Sequence, residues 1–274
     1  ALWRGSSNFR TEAPSPPILR YLTYSGKDRS PAASPDGRTI AFTSYRDGVP
    51  RIWLKQIAGG GEAVLTDGSD DQARFSPDGA MILFLRLEGE RTSLYRMTVV
   101  GGEPRRLLED VAGADWSPDG RRIVFTRWVT RGQRTDSIVG LIDTEGANLR
   151  EVAHLENQQV GLPRWSPVAD TVSLAGLTQA GGPQSVILVE IESGSTRRLN
   201  APSPALGFIS AAAWSGSGGE IVYSRGFSVA SFLVGSDAYV VRQDISTGAS
   251  QTLFWSPGNS LILDILGPGQ IVFD

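Results

Sequence analysis

The tetrapeptide Ser-Pro-Asp-Gly occurs three times at near-equal intervals, and this repeat constrains the fold more than any other feature. The copies begin at Ser34, Ser76 and Ser117, which are 42 and 41 residues apart. A short apolar run follows each copy, as in Ile123-Val124-Phe125. A period near forty residues with strand-like content is typical of a β-propeller, in which each repeat forms one blade.

The Ser-Pro-Asp-Gly tetrapeptide has the composition of a tight turn. Serine is favoured at the first position of a type I turn, proline fixes the backbone angle of the second, and aspartate accepts hydrogen bonds from nearby amides. Glycine adopts the positive φ that closes the turn. The runs that follow are apolar on both alternating faces, which is typical of strands covered on both sides. Each copy therefore predicts a hairpin turn inside a blade.

Three weaker copies extend the repeat to the end of the chain. They begin at Ser166, Ser215 and Gly267. In the second repeat we predict four strands, at Gln72–Ser76, Met81–Arg86, Ser93–Thr98 and Pro104–Leu108. The sequence therefore predicts an all-β fold, a six-bladed β-propeller of four-stranded antiparallel blades.

A large aromatic residue stands directly before the turn serine in four copies. These residues are Phe75, Trp116, Trp165 and Trp214. A binding stripe is one interpretation. A ring at the same place in each repeat is better explained by packing, so we predict that these side chains fill the space between blades.

The two ends of the chain suggest how the ring closes. Leu19–Thr23 resembles the outer strand of a blade but precedes the first inner strand, so we predict that it completes the last blade and removes its exposed edge. That blade starts near Leu266 and is incomplete at Asp274. We interpret residues 1–17 as a linker and 18–274 as the propeller, and we expect the chain to be part of a longer protein.

Composition narrows the range of partners and cofactors. The formal net charge of −3 does not favour nucleic acid, whose binding needs concentrated basic charge. The absence of cysteine excludes disulfides and thiolate metal sites, and no apolar span is long enough to insert into a membrane. The turn aspartates Asp36, Asp78 and Asp119 occur once per repeat, so they predict turn chemistry and no carboxylate cluster for a metal. We expect no cofactor.

The motif S-P-D-G-x-x-I-x-F, with outer strands such as Ala63-Val64-Leu65-Thr66, resembles the repeat of the TolB-like six-bladed propellers. The resemblance covers residues 19–274. It implies a periplasmic or otherwise extracytoplasmic location, and it is compatible with three contexts: TolB itself, prolyl-oligopeptidase relatives, and bacterial receptor serine/threonine kinases. Segments Ser30–Gly37 and Arg51–Lys55 resemble the kinase-attached group most.

The sequence contains no pattern for catalysis. It has one histidine, His154, in a predicted outer strand, and it lacks the G-x-S-x-G pattern that a serine hydrolase of the α/β type carries. We therefore predict a non-catalytic binding or sensor module that recognises a protein, a peptide or a component of the cell envelope. The alternatives are a substrate-gating propeller of a prolyl-oligopeptidase-like hydrolase and a structural scaffold.

The loops on one face of the propeller are the first candidate binding surface. Two long insertions lie between second and third strands, Trp128–Asp136 and Gly226–Asp237, and Asp67–Gln72 joins two blades. The candidate residues on these loops are Asp70, Asp71, Trp128, Arg131, Arg134, Phe227 and Phe232. Large aromatics and arginines dominate interface energetics. The alternative is that the aromatic rings fold back over their blades.

The inner strands offer a second candidate set. Arg74, Asp115 and Arg164 each lie two residues before a turn serine, on the opposite face of the strand from the aromatic residue. They could present a mixed-charge ring to an anionic group or a peptide terminus. The alternative, which we favour, is that they pair with each other across neighbouring blades as salt bridges of the channel wall.

Overall fold

A computed structural model describes residues 18–178, 185–199, 209–226, 237–257 and 263–274 of the chain. Within these ranges the fold is all-β. Strands of the first three sheets are β1 (Asp28–Ala33), β2 (Thr39–Ser44), β3 (Arg51–Gln56), β4 (Glu62–Val64), β5 (Asp70–Phe75), β6 (Met81–Glu88), β7 (Arg91–Thr98), β8 (Arg105–Glu109), β9 (Gly113–Trp116), β10 (Arg122–Arg131), β11 (Arg134–Asp143) and β12 (Arg150–Leu155). Strands of the other three are β13 (Gln158–Trp165), β14 (Thr171–Thr178), β15 (Ile187–Glu190), β16 (Thr196–Arg198), β17 (Ile209–Trp214), β18 (Glu220–Gly226), β19 (Asp237–Asp244), β20 (Ser250–Pro257), β21 (Leu263–Gly267) and β22 (Gln270–Phe273). No helix long and apolar enough to cross a membrane occurs in the described ranges.

The sheets form a propeller. Five of them have four antiparallel strands in chain order, and the sixth, β21–β22, has two in the part of the chain that the structure describes. The first strand of each sheet contacts the first strand of the next, and β21 contacts both β17 and β1. These contacts close a ring of five complete blades and a smaller sixth sheet, with the first strands around the central channel. The predicted all-β propeller of four-stranded blades is confirmed in this form.

The N-terminal segment does not close the last blade as predicted. Leu19–Thr23 forms no strand, and its Leu19 and Tyr21 side chains are exposed. Leu22 alone of this segment packs against the apolar cluster that contains Val272 of the sixth sheet. An outer strand pairs with the third strand of its blade, and none of the described residues forms a third strand in this sheet. The prediction of a closing strand is therefore wrong for this structure.

The Ser-Pro-Asp-Gly turns have the predicted chemistry. In the second blade, Ser76 donates to the Asp78 carboxylate and its Oγ accepts the backbone N–H of Met81 at 2.9 Å. The same carboxylate accepts the N–H of Ala80 at 3.0 Å, and Gly79 has a φ of +72°. Identical bonds occur in the first and third blades. The hydrogen bond from the serine hydroxyl is the main cause that lowers the pKa of each turn aspartate.

These turns also pack against each other around the ring. A Cβ added at Gly79 would lie 3.7 Å from Cδ of Pro35 in the preceding blade, and one at Gly120 would lie 3.8 Å from Cδ of Pro77. At Gly37 the added atom would lie 2.7 Å from the backbone oxygen of Leu266 in the sixth sheet. Glycine is therefore required at Gly37 both by its positive φ and by the neighbouring backbone.

The aromatic residues before the turn serines fill the space between blades, as predicted. Trp116 and Trp165 are buried within two of the largest apolar clusters. The indole N–H of Trp116 donates to the backbone oxygen of Arg74 in the preceding blade, at 3.2 Å, and Trp214 donates to that of Arg164 at 2.9 Å. The indoles of Trp116 and Trp214 therefore fix one inner strand against the next as well as filling volume, whereas Trp165 contributes packing without such a bond in the described residues.

We expect Ser76→Ala to lower the free energy of unfolding by about 1–2 kcal/mol, because the part-buried amide of Met81 loses its acceptor and the Asp78 carboxylate loses one of its two donors. The matched control is Ser215→Ala in the weaker turn of the fifth blade, where Oγ contacts the N–H of Glu220 at 3.2 Å and Oγ of Ser217 at 3.1 Å. Because no carboxylate is involved there, Ser215→Ala should lower the free energy of unfolding by less than Ser76→Ala does. Urea unfolding measures the change in free energy for both variants, and their m-values should equal that of the wild type. Equal losses would contradict this account of the turn.

Candidate functional site

The predicted loop Trp128–Asp136 is instead the end of a long β-hairpin. Strands β10 and β11 pair without interruption from Trp128↔Ser137 to Arg131↔Arg134, which leaves Gly132 and Gln133 as the turn. Residues 129, 130 and 135 are Val, Thr and Thr, whose β-branched side chains favour continued pairing. The insertion therefore lengthens the sheet and projects beyond the shorter hairpins of the first two blades.

The Asp136 carboxylate fixes this hairpin to its surroundings. It is buried and accepts hydrogen bonds from the backbone N–H of Asn157 at 2.7 Å, from Nε of Arg134 at 3.0 Å, and from Nε2 of His154 at 3.2 Å. The bond from Asn157 is the largest cause that lowers the pKa of Asp136 to about 2. Arg134 also pairs with Glu156 at 2.8 Å. His154 lies in the outer strand β12, as predicted, where it takes part in this contact.

Trp128 both packs and remains accessible. Its indole N–H donates to the backbone oxygen of Val160 in the next blade at 2.5 Å, and its ring lies beside Gly161. The side chain nevertheless remains 46% exposed. Arg131, near the turn, is exposed and makes no ion pair within the described ranges. Phe227 and Phe232, the other predicted aromatics of this surface, lie outside the described residues.

Asp70 and Asp71 are not loop residues, because β5 begins at Asp70. The Asp70 carboxylate is fully buried and receives Nε and Nη2 of Arg86 at 2.7 and 2.9 Å. Asp71 accepts Nη2 of Arg29 at 2.6 Å and the hydroxyl of Thr43 at 2.7 Å, both from the first blade. The backbone N–H of Asp70 donates to the backbone oxygen of Pro50 in the first blade at 2.8 Å, which joins the two blades at this point. Asp70 is therefore inaccessible to a partner. Its carboxylate joins β5 to β6 within the second blade, whereas that of Asp71 joins the first and second blades.

One position of the inner strands forms a ring of six residues around the channel. Strand register shows that the same place in each sheet is occupied, in blade order, by Ala32, Arg74, Asp115, Arg164, Ala213 and Asp264. The structure thus brings the three predicted channel residues together and adds Asp264. Sequence reasoning missed Asp264 because the sixth turn is shorter than the others. Aligning the strand after that turn, instead of the turn itself, would have found it.

Arg74 crosses the channel and joins three blades. Its Nε lies 3.1 Å from Asp115 on β9, and its Nη1 lies 2.7 Å from Asp264 on β21. Both carboxylates are further bonded to backbone amides: Asp115 to Trp165 at 2.9 Å, and Asp264 to Ala33 at 3.1 Å. Burial opposes the charge of Arg74, but the two carboxylates outweigh it and raise its pKa. The salt-bridge interpretation therefore holds for Arg74 and Asp115.

Arg164 occupies the equivalent position in the fourth blade but has no carboxylate partner among the described residues. It is 5% exposed, and its Nη1 donates to the backbone oxygen of Pro163 at 3.0 Å. Its buried Nε has no hydrogen-bond acceptor in the described part of the chain. Burial, followed by the positive charge of Arg74, lowers the pKa of Arg164 to about 10. Two arginines at equivalent positions therefore have opposite electrostatic environments.

A scan against known protein families finds no match for the chain. The uncharacterized protein Atu1656 of Agrobacterium fabrum is 31% identical over 149 residues, which are 50% of this chain and 50% of that protein. The uncharacterized peptidase YuxL of Bacillus subtilis is 28% identical over 62% of this chain and 25% of its own length. The Tol-Pal system protein TolB of Anaeromyxobacter dehalogenans is 40% identical over 32% of this chain and 20% of its own. The chain thus matches half or less of the length of these curated relatives.

Solved structures agree on the architecture. TolB from Acinetobacter baumannii superposes with a TM-score of 0.66 and 20% identity, over 85% of this chain and 55% of that one. The fold is that of a TolB-like β-propeller. Oligogalacturonate lyase in complex with manganese superposes with a TM-score of 0.60 and 16% identity, over 84% of this chain and 67% of that chain. At such identities the likeness shows the fold alone, because propellers carry both binding and catalytic functions.

We expect Asp136→Asn to flatten the acid dependence of stability. The pKa of Asp136 is lower in the folded state, so its stabilisation is present above its ordinary value of 3.8 and is lost as pH falls through about 2. The free energy of unfolding of the wild type, measured by urea titration at several pH values, should therefore fall more steeply over this interval than that of the variant. Glu90→Gln, at an exposed position in the β6–β7 turn, is the control and should follow the wild type. Parallel curves for wild type and Asp136→Asn would contradict the prediction.

We expect Arg74→Met to lower the free energy of unfolding by about 3–5 kcal/mol, because it leaves two buried carboxylates without their counter-charge. Adding Asp115→Asn should restore part of this loss, since the second substitution removes one of the unpaired charges. Urea unfolding of the two single variants and of the double variant measures the coupling. A loss below about 1 kcal/mol for Arg74→Met would show that solvent already screens these charges.

Proposed function

We propose that this chain is a non-catalytic binding module that recognises a protein or peptide through the face carrying the β10–β11 hairpin. The observation that supports the proposal most is the half-exposed Trp128 on this projecting hairpin, whose turn is flanked by the exposed Arg131. Tryptophan and arginine are the residues most enriched at the energetic centres of interfaces. The TolB-like fold is consistent with a binding role.

The rigidity of the hairpin supports the same conclusion. Asp136, Arg134 and the Trp128 indole tie this segment of the hairpin to the β12–β13 connection and to β13. A partner that binds here does not have to order the surface, so less of the interaction energy is lost on binding. Arg131 remains available for a carboxylate or carbonyl group of the partner.

We also propose that the propeller acts outside the cytoplasm as part of a longer protein. Its likeness to TolB and its matches to parts of longer relatives support this placement. Within that setting, a sensor domain attached to a receptor serine/threonine kinase stays a prediction from the sequence. Fusing alkaline phosphatase, which is active only after export, to the natural gene product would test the location.

Site-specific photocrosslinking tests the binding surface by capturing whichever molecule occupies it. A photoreactive phenylalanine analogue replaces Arg131, or replaces Val64 on the outer strand β4 as a control that is also exposed. Irradiation in the source cells should yield a discrete adduct from position 131 and none from position 64. An adduct from both positions, or from neither, would count against the hairpin surface.

Matched tryptophan variants then measure how much the Trp128 side chain contributes to the free energy of partner binding. Trp128 is 46% exposed and Trp255, on the outer strand β20, is 51% exposed, so the two substitutions remove similar accessible area. We expect Trp128→Ala to weaken binding of the crosslinked partner by at least about tenfold, which corresponds to a loss of a central interface side chain. Trp255→Ala should leave the dissociation constant unchanged in isothermal titration. Circular dichroism melting checks that both variants fold.

The similarity to the peptidase YuxL favours a second candidate, a propeller that gates access to a hydrolase active site. The protein as it occurs in its source cells can be assayed with peptide p-nitroanilides and a fluorophosphonate probe for active serines. Peptide cleavage with labelling would support the gate. The absence of both, together with a crosslinked partner, would support the binding module.

A further inference from the structure

The channel contains an arginine whose hydrogen-bonding capacity is largely unused. Arg164 is buried, its Nε has no acceptor in the described ranges, and only Nη1 is bonded, to Pro163. A buried arginine normally pairs with a carboxylate, because an isolated buried charge is costly. The same ring position in the second blade follows this rule, since Arg74 pairs with two carboxylates.

The carboxylates nearest to Arg164 are already occupied. Asp115 accepts from Arg74 and from the backbone of Trp165, and Asp264 accepts from Arg74, Ala33 and Ile265. The residue between Arg164 and Asp264 around the ring is Ala213, whose side chain carries no donor or acceptor. Within the described part of the chain, Arg164 makes neither an ion pair nor a hydrogen bond with either of these carboxylates.

The geometry points to a ligand, and we propose that the channel beside Arg164 binds a carboxylate group. Because Nη1 is held by Pro163, the edge formed by Nε and Nη2 remains for the ligand. This edge matches the two oxygens of a carboxylate in a side-on, bidentate arrangement. Arg164 lies two residues before the Ser166 turn, toward the end of the channel that carries the Ser-Pro-Asp-Gly turns.

This site is separate from the hairpin surface. Turns between first and second strands lie at one end of the blades, and turns between second and third strands, including Gly132 and Gln133, lie at the other. A carboxylate at Arg164 and a partner at Trp128 are therefore bound on opposite faces. Each proposal can fail without the other.

The test uses N-acetylglycine, which has the carboxylate of a peptide terminus, and N-acetylglycinamide, which lacks the charge but is otherwise the same. Arginine Nε–H signals in ¹H–¹⁵N spectra provide the readout, and the Arg164 signal is assigned by its loss in Arg164→Lys. We expect N-acetylglycine to shift this signal saturably, with a dissociation constant of about 1–10 mM, and N-acetylglycinamide to bind at least about tenfold more weakly. The Arg74 signal should move less, because both its carboxylates stay in place.

Two variants of Arg164 test whether carboxylate binding depends on its guanidinium group and whether its charge is unpaired without ligand. Arg164→Lys retains the charge but loses the bidentate edge, so it should bind N-acetylglycine at least about tenfold more weakly, as judged from backbone amide shifts around the channel. Arg164→Met should melt at the same or a higher temperature than the wild type in the absence of ligand, because it removes an unpaired buried charge. Trp128→Ala should leave N-acetylglycine binding unchanged.

Three results would overturn the proposal. The first is no saturable shift of the Arg164 signal at 100 mM N-acetylglycine with ionic strength held constant by sodium chloride. The second is equal binding of the acid and the amide. The third is tighter binding of inorganic phosphate than of N-acetylglycine, which would identify the site as one for phosphate instead of carboxylate.

Discussion

The structure depends on the packing of each small sheet against both of its neighbours. A single four-stranded sheet has two faces to cover, and here the next blades around the ring cover them. This explains why the runs after the turns are apolar on both alternating faces, and why an aromatic residue stands before the turn serine. Trp116 fills the space between two blades while its N–H is bonded to the backbone of Arg74. The turns add a second set of contacts, in which glycine of one blade meets proline of the preceding one.

The same arrangement determines the chemistry of the channel. Closing the ring brings six inner strands together, so equivalent side chains meet near the axis, where charges are poorly hydrated. Alanine in the first blade allows Arg74 to pass and reach Asp264. Among the described residues Arg164 does not join this network, since Asp115 and Asp264 bond to Arg74 and to backbone amides instead. A buried, incompletely bonded arginine is the kind of group that proteins retain for a ligand.

The residues predicted for the loop surface differ in how well the sequence identified their role. Trp128 and Arg131 could be selected as an exposed aromatic and a cation within an insertion, although the insertion proved to be paired strand and not loop. Asp70 and Asp71 satisfied the same criteria, yet Asp70 pairs with Arg86 inside its own blade and Asp71 joins two blades. Polar residues near a strand end can face either solvent or the protein interior. Burial and partner distances, and not residue type, separate these cases.

The sequence by itself determined the repeat, the turn chemistry and the strand order within each blade, because the turns and hairpins of a blade form between segments that follow each other along the chain. It also indicated that Arg74, Asp115 and Arg164 share one face of their strands. Only the tertiary structure decided which of them pair, since Asp115 and Asp264 lie 41 and 190 residues from Arg74 along the chain. The tertiary structure also decided how the ring closes, since β21 contacts β1. The segment Leu19–Thr23 does not pair as a strand, and the described part of the sixth sheet contains no third strand with which it could pair.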